Sequence, residues 1–303
     1  MKLLGKNLFL YLSITLLLGA CQDKKPLQQP FEVGIMTDCQ YCDCDIKWGR
    51  YFHEAPGRLD SIVRYFNTKD LAFRIHLGDF IDKDVASFET LNPIWNSLDD
   101  PKHHVLGNHD FDVADSLKNK VPSYLGLKDR YYSFEHENWS FIVLDGNDLS
   151  LYGRNPKYTE KQVDSLYLMQ QEKGLESAKF YNGGIGQEQL NWLEQQLSQA
   201  EEKNHQVVIF SHFPVYPIDN HNIWNNQDLV HIIDAHPSIK AVFTGHNHAG
   251  SYAQVKGVHY LTFKAIVDTP DSTAYALARF EKDKIIIDGY GREQDRILTL
   301  KKD

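Results

Sequence analysis

The stretch FRIHLGDF (residues 73–80) rises through apolar positions, breaks at Gly78 and places Asp79 directly after the break. A short apolar run that stops at Gly-Asp reads as a buried strand with a carboxylate at its C-terminal end. The same form stands on either side. FEVGIMTD (31–38) rises to Asp38, with Gln40 two residues on, and KHHVLGNHD (102–110) rises to Asn108 and His109. Between these runs, APGRLDSIVRYFNT places Leu59, Ile62, Val63 and Phe66 at helical spacing behind Pro56. FETLNPIWNSL predicts a second helix, interrupted by Pro93. The order is β-α-β-α-β, with polar residues where open α/β sheets place their sites.

The texture then changes. YYSFEHENWSFIVLD (131–145) predicts a hairpin, and residues 146–186 are polar, tyrosine-rich and without an assignable element. QEQLNWLEQQLSQA (187–200) sets Leu190, Leu193, Leu197 and Ala200 on one helical face. QVVIFSH and IKAVFTGH are apolar runs ending in His212 and His246, with His248 just beyond. VHYLTF, AYALARF and KIIIDG close the chain as strand-like runs. The pattern predicts an α/β domain with two sheets packed face to face between helices.

The 303 residues carry a formal net charge of −9 and no basic block, which excludes a nucleic-acid surface. A small anionic substrate fits only if something local, such as bound metal, reverses the field. Lys2 and Lys6 precede the apolar stretch Leu8 to Ala20, which is shorter than the ~20 residues that span a bilayer. It reads as a secretory signal rather than a short core helix. Leu18-Gly19-Ala20-Cys21 resembles the lipobox of bacterial lipoproteins, which implies cleavage and acylation at Cys21. The expectation is an exported protein anchored to the bacterial cell envelope: a signal at 1–20, a polar tether at 21–30, and a catalytic domain at 31–303. Removing residues 1–20 takes away two lysines and no acid, moving the net charge from −9 to −11.

Five strand ends deliver one kind of residue: Asp38 with Gln40, Asp79, Asn108 with His109, His212, and His246 with His248. Any one alone reads as an ordinary turn. Together they form the carboxylate, imidazole and amide set that a metal site requires.

In order across residues 38–248, this set resembles the calcineurin-like metallophosphoesterase superfamily, whose pattern is D-x-H, G-D-x-x-D, G-N-H-[DE], a later His and G-H-x-H. Asp38-Cys39-Gln40 departs from it, with Gln in place of His. That departure, together with NGGIGQEQLNWL (182–193), SHFPVYP (211–217) and GREQDRIL (291–298), resembles the manganese-dependent ADP-ribose/CDP-alcohol diphosphatases. The resemblance implies a two-sheet β sandwich flanked by helices and two divalent metal ions. Asp79 would bridge them. Asp38, Gln40 and His248 would complete one metal, and Asn108, His212 and His246 the other. His109 would stay off the metals and face the scissile phosphate, oriented by Asp82, which as a residue on its own also reads as a solvated turn acid. The implied reaction is attack by a metal-bridging hydroxide on the diphosphate of a nucleoside diphosphate conjugate. Two readings stand beside it: a phosphomonoesterase or phosphodiesterase of the same superfamily, and a surface metal-binding protein without catalysis.

An amide carbonyl is a harder donor than imidazole, so Gln40 favours Mn²⁺ or Mg²⁺ over Zn²⁺. The histidines suit Mn²⁺ or Fe²⁺, and manganese is the expectation. Cys39, Cys42 and Cys44 crowd around the first motif. A structural zinc site wants four ligands in spaced pairs, so Cys39 reads as a small buried hydrophobe and the other two as incidental to the chemistry. The crowding predicts no disulfide framework. Tyr41, Phe213, Tyr216 and Trp224 flank the motifs and are candidates to stack on a nucleobase, against their ordinary place in a core.

Overall fold

The computed structural model describes residues 29–301. The signal, the lipobox and most of the tether lie outside the described residues. No helix among the described residues is long and apolar enough to cross a membrane.

Two six-stranded sheets carry the fold. In the first, strands lie in the order Arg296–Thr299, Lys284–Gly291, Ala274–Phe280, Phe31–Met36, Phe73–His76 and Lys102–His104. The last three run parallel, as their helical crossovers require, and Ala274–Phe280 closes antiparallel on Phe31–Met36. In the second, the order is Ser251–Val255, Val258–Thr262, Ile239–Thr244, Gln206–Phe210, Trp139–Val143 and Tyr132–His136. Its four central strands are parallel, with an antiparallel hairpin partner at each edge.

Strand alternation sorts the side chains into layers. Ile35, Ile75, Phe141, Phe210, Phe243 and Ile287 fill the space between the sheets. Leu59, Ile62, Val63 and Phe66 of helix Ala55–Phe66 cover the outer face of the first sheet, with Phe88 and Leu91 of helix Val85–Asn96 beside them. Leu190, Leu193 and Leu197 of helix Gln187–Glu202, with Ile232 and Ile233 of helix Asn226–Ala235, cover the second. Each such fully buried side chain contributes about 1.5–3 kcal/mol. Gly34 has a packing reason: a Cβ there would lie 2.6 Å from the Phe66 ring.

Several local expectations need correction. Pro93 does not interrupt its helix, which runs from Val85 to Asn96. Pro93 and Glu89 are both exposed, so the carbonyl that loses its partner faces water, while Phe88, Leu91 and Trp95 anchor the buried side. Residues 146–186 hold a helix, Glu160–Glu172, and a two-stranded ribbon of Leu149–Ser150 with Gly183–Gly184. Thr159 and Gln162 form a capping box at the start of that helix, a signal legible as T-x-x-Q.

Cys39 is fully buried among the helix contacts of the first sheet, as expected. Cys42 and Cys44 are joined by a disulfide, a local link two residues apart that the expectation of no disulfide framework left out. The chain bends between them and holds their Cα atoms 5.3 Å apart, within reach of a bridge.

Candidate metal centre

The C-terminal ends of strands from both sheets meet at one edge of the sandwich. Asp38, Gln40, Asp79 and His246 sit there with φ of 51°, 43°, 56° and 68°. A left-handed backbone at a residue other than glycine costs on the order of 1–3 kcal/mol, and such strain clusters at functional sites. Asp38 and Gln40 therefore converge by a different route from strand alternation. The strand ends at Met36, and successive left-handed turns aim both side chains inward.

Hydrogen bonds hold this geometry. The Asp38 N–H donates to Gly78 O at 3.1 Å and the Gln40 N–H to Asp79 O at 3.0 Å. The His246 N–H donates to Asp38 Oδ2 at 3.1 Å, and the His109 N–H to Asp79 Oδ1 at 2.8 Å. Asp110 ties the two central loops together. Its Oδ1 accepts from Phe80 N at 2.8 Å and Ile81 N at 3.3 Å, and its Oδ2 from Gly107 N at 2.8 Å. Burial and the charge of Asp79 push the Asp110 carboxyl up to about 7. Gly107 admits no side chain, because a Cβ would lie 2.1 Å from the Asp79 nitrogen.

Hydrogen-bond partners set the tautomer of each histidine. His212 donates Nδ1–H to Leu77 O at 2.9 Å and turns Nε2 toward Asp79 Oδ2, 3.2 Å away. Asn182 gives its amide protons to Ser177 O and Asn220 O, so its Oδ1 faces His246 Nε2 at 2.8 Å. His246 is therefore protonated on Nε2 and offers Nδ1. His248 pairs Nδ1 with Asp268 Oδ1 at 2.9 Å and turns Nε2 toward Asp38 Oδ1, 3.6 Å away. His109 places Nδ1 3.2 Å from Asp82 Oδ1 and 3.1 Å from Asp82 O, which frees its Nε2. Asp82 is thus a partner of His109 rather than a solvated turn acid.

The donors that remain match what cations need. Asp38 Oδ1, Gln40 Oε1, Asn108 Oδ1 and His212 Nε2 are buried and make no hydrogen bond. Donor atoms of Asp79, His212 and His246 lie within 4.8 Å of one another. Leaving such groups unpaired costs about 1–3 kcal/mol each, so the set fits divalent cations. Burial would raise Asp79, but the neighbouring His212 and His109 hold its carboxyl well below the usual range. Burial would lower His212, but Asp79 lifts it to about 9. Burial raises Asp38 and lowers His246 well below its usual value.

Gln40, Asp79, Asn108, His109, His246 and His248 line a cleft of about 540 Å³, with Asp38 and His212 buried behind it. The size suits a small molecule. Its aromatic walls are not the four candidates from the sequence. Phe213 and Trp224 are core, Tyr216 packs on Tyr260, and Tyr41 packs beside the first helix layer. The cleft is walled instead by Trp48 and Phe180, exposed at 77% and 56%, and by Tyr152 and Tyr181. A second cleft, about 610 Å³, at Trp95, His103 and Tyr132 shares no lining residue with the first. The sequence reading also missed Asn182, Asp268 and Asp110. Asn182 opens the NGGIG stretch and Asp110 closes GNHD, whereas no motif marks Asp268.

A two-sheet sandwich with carboxylates, amides and imidazoles gathered at one edge has the build of a metal-dependent phosphate hydrolase. Comparison with known proteins makes this definite. Residues 31–250 match the family model described as calcineurin-like phosphoesterase, and the chain belongs to that family. It is 29% identical over 321 residues to the human manganese-dependent ADP-ribose/CDP-alcohol diphosphatase, covering 90% of this chain and 94% of that one. The enzyme of the same name from Arabidopsis thaliana is 28% identical, covering 81% and 89%. Among solved structures, a dimetal phosphatase from Danio rerio superposes with a TM-score of 0.79 at 24% identity, covering 89% of this chain and 99% of that one.

Proposed function

We propose that this protein hydrolyses the diphosphate bond of nucleoside diphosphate conjugates such as ADP-ribose or CDP-alcohols, with manganese as the metal. The observation that carries this reading is the convergence of partnerless buried donors with His109 Nε2 in a cleft whose walls are flat and aromatic. The names of the relatives support the substrate class.

Asp38, Gln40 and His248 form one donor set and Asn108, His212 and His246 the other, with Asp79 between them. Divalent ions held there would acidify a water and neutralise phosphate charge. Only two of the seven donors are carboxylates, so the loaded cleft stays net positive and draws an anion into a chain of net charge −9. The His109 imidazole belongs to neither donor set. Held by Asp82, its free Nε2 stabilises phosphoryl oxygens or protonates the leaving group. Trp48 and Phe180 offer faces on which a nucleobase stacks.

The test is purified protein with Mn²⁺ against ADP-ribose, CDP-choline, CDP-glycerol, a 2′,3′-cyclic nucleotide and a chromogenic monoester. The highest kcat/KM is expected on a diphosphate. A preference for the cyclic nucleotide or the monoester would overturn the reading.

Export and anchoring through Cys21 belong to the same proposal, supported by Leu18-Gly19-Ala20-Cys21. Cys21→Ser is expected to abolish membrane association. A variant that still fractionates with membranes after signal removal refutes the anchor.

A further inference from the structure

A diphosphate carries two phosphoryl groups, and the metal donors serve one of them. The question is what receives the other. Among the described residues lining the cleft, Arg50 is the only lysine or arginine.

Its backbone is held on two sides. The Arg50 N–H donates to Lys47 O at 2.9 Å, closing a turn at Trp48 and Gly49, both with positive φ. Arg50 also bridges to Asp268, and Tyr51 N donates to Val267 O at 2.9 Å. Arg58 in turn pins that neighbouring segment, donating to Ile266 O at 2.7 Å and Asp268 O at 2.9 Å. Arg50 therefore rises from a braced wall, between the Asp82–His109 side of the cleft and the Asp268–His248 side.

Its side chain is under-used. The one ion pair, Arg50 Nη1 to Asp82 Oδ1, is 3.6 Å long, and the side chain is 20% exposed. At that length the pair is a charge contact rather than a hydrogen bond. A guanidinium has five N–H donors in a fork that matches phosphate oxygens. Asp82 engages at most part of that fork, the Trp48 ring lies 5.8 Å from the guanidinium carbon, and Arg50 lines the cleft.

We propose that Arg50 grips the second phosphoryl group of a diphosphate, the one away from the metal donors, and so separates diphosphates from substrates with one phosphate. This rests on the reaction proposed above.

The test is calorimetric titration of the manganese-loaded protein with α,β-methylene-ADP, which cannot be cleaved at the bridge, and with AMP. A charge-assisted contact of this kind corresponds to about 10- to 100-fold in affinity, the expected preference of the wild type for the diphosphate. Arg50→Gln should bring the two ligands within about threefold, and Arg50→Lys should restore part of the gap by charge without the fork. An unchanged ratio in Arg50→Gln, an equal weakening of both ligands, or a loss of manganese overturns the proposal. Turnover of ADP-ribose by the wild type is scored separately. If ADP-ribose stays intact while the Arg50-dependent preference holds, the reaction fails and the grip stands. If ADP-ribose is hydrolysed and the preference does not depend on Arg50, the grip fails and the reaction stands.

Discussion

Asp268 Oδ1 lies 2.9 Å from Nδ1 of His248, and this contact decides which nitrogen His248 turns to the cleft. A carboxylate behind a ligating imidazole fixes its tautomer and raises its basicity, and its loss typically costs about 10- to 100-fold in metal affinity. Asp268→Ala is therefore expected to weaken one of the two proposed metal sites by that order, read as manganese retained. Asp268→Asn, which still accepts through its amide oxygen, should lose less. Metal content after equilibrium dialysis measures both, and full retention in the alanine variant would remove Asp268 from the site.

Asp110 accepts backbone N–H groups from Phe80, Ile81 and Gly107 through both carboxylate oxygens. In Asp110→Asn, whichever way the amide is turned, its NH₂ meets a backbone N–H. The variant should lose about 1–3 kcal/mol in denaturant unfolding. Its rate should fall as well, since the loop carrying Asp79 loosens. Unchanged stability and rate would show that the loops hold without it.

His109 separates metal assembly from chemistry. His109→Ala should keep its manganese and lose about 10²–10⁴-fold in rate. A diphosphate expels a phosphate that leaves easily, whereas an alkyl monoester expels an alkoxide that needs a proton. A larger loss on the monoester identifies an acid; equal losses identify a stabiliser of phosphoryl oxygens. Stripped metal or an unaffected rate would refute both roles.

The Cys42–Cys44 disulfide lies beside the site, with Cys42 Sγ 3.7 Å from Asp82 Oδ2. It closes a very short loop, so its contribution to stability should fall below the ~3 kcal/mol of a 15-residue loop. Replacing both cysteines with serine should retain bound manganese and most activity, with a modest drop in Tm. Loss of metal from the double variant would place the cysteines in the metal centre.

The order of strands and helices up to Lys102–His104 was legible because each is a short apolar run with its own punctuation. The residues gathered at the cleft were legible for the same reason: Asp38, Asp79, Asn108, His212 and His246 follow runs whose periodicity is local. The helix Glu160–Glu172 was missed despite its capping box, because only Val163 and Gln170 are buried and its apolar face is weak.

What the sequence determined by itself is thus the class of fold and the kinds of donor atom brought to one edge, since both follow from residue type and near-neighbour spacing. Tertiary structure alone decided which nitrogen each histidine offers. The partners that settle it, Leu77 for His212, Asn182 for His246 and Asp268 for His248, are 135, 64 and 20 residues away along the chain. It also decided which aromatics wall the cleft. Trp48 and Phe180 reach it from loops whose course depends on contacts far along the chain, whereas Phe213 and Trp224 are drawn into the core by burial of their apolar surface.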